Sequence, residues 1–172
     1  VGAHISFYGT PKEQLKDYAD HLWNAGIRHI VALRGDIPKG SNPADFQNEN
    51  YYAVTSDFVE ALLSWHPFDI SVGAYPEKHP DAPSMAEDIR ALKLKCNAGA
   101  TRAITQFFFD TRTYYDFLTL TAAKGIATPI VPGLLPIADI TKVKGFAAKC
   151  GATIPADIDS LFQNTSDPEQ TA

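Results

Sequence analysis

Arg34, Gly35 and Asp36 stand at the end of an apolar run, His29-Ile30-Val31-Ala32-Leu33. The run suits a strand covered on both faces, as in a parallel sheet. A cation and a carboxylate on either side of a glycine are costly to place there unless something uses them. One reading is an ion pair that closes the strand end; the other is a polar site. His4, Tyr75, His79 and Gln106 fall at comparable places along the chain. With Arg34 and Asp36 they suit a flat heteroaromatic ligand, which has polar edges to hydrogen-bond and faces to stack on. Asp88 and Lys95 lie seven apart in a helical pattern, hence on one face. Their neighbourhood could reach a ribose and a phosphate; a solvated helix face is the alternative.

Other chemistries fit poorly. A metal-dependent hydrolase wants paired histidines on a strand. His4 is alone on its own, and His21, His29 and His66 are not arranged with it, so no metal site is expected. A Schiff-base enzyme needs a lysine at a strand end, whereas Lys39, Lys78 and Lys95 fall on loops or helices. No Ser/His/Asp or Cys/His arrangement is suggested. The 172 residues are 45% apolar and 20% charged, enough for one globular domain with a real core. A net charge of −5 argues against a nucleic-acid or anionic-membrane surface, and no apolar run is long enough to span a bilayer. No stretch reads as a signal peptide, and the first residue is Val1, which suggests processing or truncation. Cys96 and Cys150 fall in helical patterns without a disulfide framework, which fits a reducing cytoplasm.

The elements that must position these residues alternate strand and helix. Strands are expected over 1–8, 29–33, 69–75, 102–109 and 129–135. Thr10, Pro11 and Glu13 predict a capping box opening a helix whose buried face is Leu15, Tyr18, Ala19, Leu22 and Trp23, ended by Gly26. Residues 35–50 read as a long polar loop, of the length that is usually functional or disordered. Helices follow over 52–65, from a Ser84/Glu87 capping box to Gly99, and from an Asp110 cap to Gly125, with two more over 140–149 and 155–163. The tail after Asn164 is polar and expected to fray. Asn24-Ala25-Gly26-Ile27-Arg28-His29-Ile30 is similar to Asn97-Ala98-Gly99-Ala100-Thr101-Arg102-Ala103-Ile104, and Lys124-Gly125-Ile126 is a weaker third copy. Each is a helix end followed by an incoming buried strand, recurring about every thirty residues as in βαβ units. Such units give a doubly wound sheet or a (β/α)₈ barrel. No glycine-rich turn follows the first strand, and the polar residues cluster past several different strands, so the barrel is favoured. About five of eight strands are present, as a single partial barrel domain over 1–172.

Three stretches carry a family resemblance: Ala32-Leu33-Arg34-Gly35-Asp36-Ile37-Pro38, Ala74-Tyr75-Pro76-Glu77-Lys78-His79-Pro80-Asp81-Ala82 and Arg102-Ala103-Ile104-Thr105-Gln106-Phe107-Phe108-Phe109-Asp110. Pro132-Gly133-Leu134-Leu135-Pro136 supports them. In order and spacing the chain resembles the bacterial-type catalytic domain of methylenetetrahydrofolate reductases. The resemblance implies an FAD-containing (β/α)₈ barrel that reduces 5,10-methylenetetrahydrofolate to 5-methyltetrahydrofolate, in one-carbon metabolism and methionine supply. It implies a ping-pong order, with NADH or NADPH reducing the flavin before the folate takes the hydride. By motif match, His4, Arg34, Gly35, Asp36, Tyr52, Ala53, Tyr75, His79, Ala82, Asp88 and Lys95 contact FAD. Asp36 also meets the pterin, where its charge could stabilise a cationic iminium form of the folate. Gln106 is the glutamine that meets both folate and nicotinamide, and Phe146 an aromatic that stacks on either substrate. Asp36 and Gln106 are the catalytic candidates. A homo-oligomer in the full-length enzyme and a cytoplasmic location are implied.

The chain departs from the family pattern in places. Lys142 stands where a glutamine is usual, and Ala91 and Leu94 replace polar residues that contact FAD in some members. The family's first two strands, which carry the glutamate general acid, and its last strand are expected to be missing. The alternatives are therefore a folate- or flavin-binding fragment without catalysis and, more remotely, an unrelated barrel lyase or isomerase.

Overall fold

The computed structural model describes residues 2–163; Val1 and the expected frayed tail from Asn164 lie outside the described residues. Five strands, β1 (Gly2–Ser6), β2 (His29–Leu33), β3 (Asp69–Ala74), β4 (Arg102–Thr105) and β5 (Ile130–Val131), form one sheet in the order β1-β2-β3-β4-β5. Helices α1 (Lys12–Asn24), α2 (Thr55–Trp65), α3 (Met85–Asn97) and α4 (Thr111–Ala123) connect them in turn, and α5 (Ile140–Cys150) and α6 (Ala156–Gln163) follow. The β1–β2 and β2–β3 pairs are parallel. Partners of β3 and β4 also rise together, Ile70 with Thr101 and Ala74 with Gln106. Strand order is what separates the two expected architectures. A doubly wound sheet reverses its order at a switch point, whereas consecutive right-handed crossovers that never reverse give the winding of a (β/α)₈ barrel. The chain has the second kind, as expected.

The repeated sequence marks a repeated helix end. At Gly26, Gly99 and Gly125, φ is +84°, +111° and +72°. In each copy the glycine N–H bonds three residues back and the next N–H five back: Gly26 to Trp23 and Ile27 to Leu22, Gly99 to Cys96 and Ala100 to Lys95, Gly125 to Ala122 and Ile126 to Thr121. This is the Schellman arrangement, which needs a left-handed residue at that one position. The residue after each glycine then leads to the next strand.

The chain forms two compact units, Val1–Gly73 with Ala91–Ala103, and Ala74–Arg90 with Ile104–Ala172. In the first, Ile5, Ile30, Ala32, Ile70 and Val72 alternate on one sheet face and are buried with Leu15, Ala19, Phe58 and Leu62 of α1 and α2. Register places His4, Val31 and Ser71 together on the other face, flanked by Gly2, His29 and Asp69. In the second, Ala74, Ile89, Phe107, Phe117, Ile126, Val143 and Ala147 are buried.

Several local expectations change. Thr10 does not cap α1: Pro11 is extended (ψ 144°), the helix starts one residue later and no side chain caps it. The Lys12 N–H is satisfied instead by the Asn50 carbonyl. Tyr18 is exposed rather than in the buried face. Helix α2 starts at Thr55, because Tyr52 packs on Phe7 and Phe58 outside it. The 35–50 loop is ordered around a 3₁₀ turn, Pro43–Phe46, capped by Asn42 and Asp45, with Phe46 against Tyr8 and Tyr51. Strand β4 stops at Thr105 because the Phe107 N–H goes to the Gln106 side chain. Strand β5 is only two residues, since the Thr105 hydroxyl takes the Gly133 N–H and Tyr114 donates to the Ile130 carbonyl. A Cβ at Gly133 would lie 2.1 Å from the Thr105 carbonyl oxygen, so the close approach admits only glycine.

Candidate functional site

In the first unit, β2 delivers Arg34, Gly35 and Asp36. The ladder with β1 continues past both strand ends through Phe7 N–H to Leu33 O and Tyr8 N–H to Arg34 O. Gly35 then turns at φ +83°, where a Cβ would lie 2.7 Å from the Ser6 Cβ. That turn corrects one expectation. The strand is buried, but Arg34 and Asp36 are both exposed, because Gly35 carries them off the sheet. His4 is exposed on β1. Tyr52 belongs to the aromatic core, with Lys12 4.9 Å above its ring, and burial pushes its phenol pKa up. Ala53 is exposed. Lys95 is not on a solvated helix face: its ammonium donates to the Gly73 carbonyl of β3 at 2.5 Å.

In the second unit, β3 leads into a loop that organises itself. Tyr75 and His79 meet edge to face with ring centroids 4.5 Å apart. The His79 N–H donates to Asp88 Oδ2 at 2.7 Å, and its Nδ1 accepts from the Asp81 N–H. Ala82 N–H closes back on the His79 carbonyl. Lys78 adopts φ +80°, and its ammonium gathers the carbonyls of His79, Pro80 and Ala82. Glu77 accepts the Thr153 N–H through both carboxylate oxygens. Gln106 follows β4; its N–H is held by Ala74 O, and its Oε1 accepts from Phe107 N–H at 3.1 Å. Phe146 on α5 is half exposed and stacks on Phe107. Lys142 is exposed and pairs with Asp139, the N-cap of α5, whose pKa is lowered chiefly by the Lys142 backbone N–H. Asp88 and Lys95 each hold a backbone segment, Asp88 the His79 N–H and Lys95 the Gly73 carbonyl.

One polar cluster was missed. His29 Nε2 lies 2.7 Å from Ser71 Oγ and 3.1 Å from Arg102 Nη1, and Arg102 pairs with Asp69 at 2.9 Å. Thr101 donates to the other Asp69 oxygen. Arginine only donates, so His29 Nε2 is the acceptor and the Ser71 hydroxyl donates to it as well. Ser71 is fully buried, and His29, Asp69 and Arg102 open their strands, the end of a barrel associated with stability rather than catalysis. The signal was the internal repeat, which aligns His29 with Arg102. The Thr101 hydroxyl, then Arg102, hold the Asp69 carboxyl below its ordinary pKa against the effect of burial. A depressed carboxylate contributes stability that is present above the unfolded pKa of about 4 and lost as pH falls through the folded value. Urea unfolding should therefore show Asp69→Asn less stable than wild type at pH 6, with the gap narrowing towards pH 3; a constant gap would count against the ion pair.

Among the described residues no helix is long and apolar enough to cross a membrane, and no group of three or more His, Cys, Asp or Glu is placed to hold a metal ion. Fold and site together define a barrel-type α/β protein with its polar and aromatic candidates just beyond the C-terminal ends of β2, β3 and β4. The chain belongs to the methylenetetrahydrofolate reductase family, whose model matches residues 1–172. It is 43% identical over 168 residues to the 5,10-methylenetetrahydrofolate reductase of Escherichia coli K12, covering 98% of this chain and 54% of the relative. It is 39% identical over 167 residues to that of Buchnera aphidicola from Acyrthosiphon pisum, covering 97% and 55%. A probable methylenetetrahydrofolate reductase (NADH) of rice is 33% identical over 178 residues, covering 97% and 30%. The chain thus spans about half the length of the bacterial relatives it matches. Among solved structures, a Clostridium thermocellum protein described as binding two copies of 5-methyl-5,6,7,8-tetrahydrofolic acid shares the fold, with TM-score 0.52 and 18% identity over 96% of this chain and 75% of that one.

Proposed function

We propose that these residues are the flavin- and folate-handling part of an enzyme that reduces 5,10-methylenetetrahydrofolate to 5-methyltetrahydrofolate with NADH or NADPH in a ping-pong order. The family match over residues 1–172 carries this reading. The donor set fits FAD. Arg34 and Lys95 are cations for phosphate, Asp88 is a carboxylate for ribose hydroxyls, and Tyr75 with His79 offers aromatic surface. Lys95 is anchored on Gly73 O and Asp88 on the His79 N–H, which fixes where each group stands along the chain. His4, Gly35, Asp36, Tyr52, Ala53 and Ala82 complete the set. FAD, when bound, supplies the hydride relay between nicotinamide and folate. The chain's own residues orient the substrates: Asp36 faces the pterin, Gln106 hydrogen-bonds either substrate, and Phe146 stacks on it. The further barrel strands, and the glutamate acid, belong on this reading to the part of the relatives' length that these residues do not match. A cytoplasmic homo-oligomer is the corresponding assembly.

The test is purification of the protein at its full natural length. A yellow product with a flavin absorption band, which oxidises NADH or NADPH in the presence of methylenetetrahydrofolate, supports the reading. Flavin and folate binding without turnover would support a binding module instead. A colourless protein that also fails to turn over after addition of FAD would refute both.

A further inference from the structure

Phe107 touches two side chains that the proposed function uses, and they sit on different elements of the second unit. It follows Gln106 beyond β4, and its backbone N–H is held by Gln106 Oε1 at 3.1 Å. Its ring is buried, only 7% exposed, and lies against Phe146 with centroids 5.3 Å apart and planes 26° from parallel. Phe109 meets the Phe107 ring edge to face at 5.6 Å and 65°. Phe146 projects from α5 and is 50% exposed. Among the described residues, the stack on Phe107 is the aromatic contact of Phe146.

We propose that Phe107 is a positioning residue for the substrate site. By fixing the Phe146 ring on one side, it presents the other as a platform for a flat conjugated ring system. Through its N–H it also sets which end of the Gln106 amide faces outward. The proposal rests on the reading in which Phe146 stacks on substrate. Offset aromatic pairs contribute beyond the area they bury, and that contribution depends on ring orientation.

A double-mutant cycle with the full-length holoenzyme tests it, using Phe107→Leu, Phe146→Leu and both together, with KM and kcat measured for methylenetetrahydrofolate and for NADH. Leucine at 107 keeps the backbone N–H that Gln106 holds. Phe146→Leu should raise KM about two- to tenfold with little change in kcat. Phe107→Leu should raise it by a similar factor, and the double variant should be no worse than Phe146→Leu alone. Phe107→Tyr, which keeps the ring, should restore the wild-type KM. A purely structural role would lower the thermal midpoint without moving KM. If Phe107→Leu does not fold, Phe107→Met is measured in the same cycle. Additive effects, or an unchanged KM at 107 when Phe146→Leu has raised it, overturn the proposal while the site reading stands. An unchanged KM in Phe146→Leu removes the site reading and the proposal with it.

Discussion

Asp36→Asn is expected to slow oxidation of the reduced enzyme by methylenetetrahydrofolate by roughly thirtyfold, about 2 kcal/mol of lost charge stabilisation, and to slow reduction by NADH much less. The asymmetry follows from the substrates. The folate is proposed to react through a cationic iminium form, which a neighbouring carboxylate favours; nicotinamide also gains positive charge as it gives up hydride, but on this reading Asp36 meets the pterin and not the nicotinamide ring. The structure shapes the magnitude. Asp36 is exposed beyond the Gly35 turn, so the chain alone does not exclude water from it. The effect depends on bound ring systems covering the carboxylate, and it belongs near the lower end of what charged hydrogen-bonding groups contribute. Asparagine keeps shape and removes charge, and the ladder bond from Tyr8 N–H to Arg34 O does not involve the side chain, so the strand end should survive. Stopped-flow measurement of each half-reaction decides it. Equal slowing of both would place Asp36 in cofactor binding alone.

The strand–helix alternation was legible because its signals are local. Three glycines at equivalent helix ends enforce the same left-handed turn, and the apolar runs between them match the buried faces of β2 and β3. Strand lengths beyond β3 were not legible. Phe107, Phe108 and Phe109 read as strand, yet side chains take backbone N–H groups at both strand ends: Gln106 takes that of Phe107, and Thr105 that of Gly133. Tertiary hydrogen bonds of that kind leave no periodic trace. The candidate site rests on residue type and resemblance, and the exposure of Asp36 differs from its expectation. A strand buried to 0% at Ile30 and Ala32 suggested a dry carboxylate, and one glycine turn sufficed to expose it. The Asp69–Arg102–His29–Ser71 cluster needed register between strands far apart in sequence, which composition does not contain.

Gln106→Glu is expected to impair both half-reactions by roughly a hundredfold while the protein is still purified with its flavin. One hydrogen bond sets the outcome. An amide can donate and accept, but here its Oε1 accepts the Phe107 N–H, which leaves the –NH₂ end to face outward as a donor. Both proposed substrates offer it an acceptor, the carboxamide oxygen of nicotinamide and the carbonyl oxygen of the pterin, so one donor serves two partners in turn. Glutamate is the same size and can still accept the Phe107 N–H, so the end of β4 keeps its local geometry. As a carboxylate it has no proton to donate, and it sets an oxygen lone pair against the substrate oxygen. A buried donor lost on one side and an unpaired acceptor left on the other cost about 3 kcal/mol. Gln106→Met, which neither donates nor accepts, frees the Phe107 N–H as well and should be worse for stability, as read by the thermal midpoint. Rates measured separately for NADH and for the folate, beside the flavin absorbance of the purified variant, separate the cases. A colourless Gln106→Glu protein would make Gln106 a cofactor or folding residue, and a defect confined to one substrate would remove its double use.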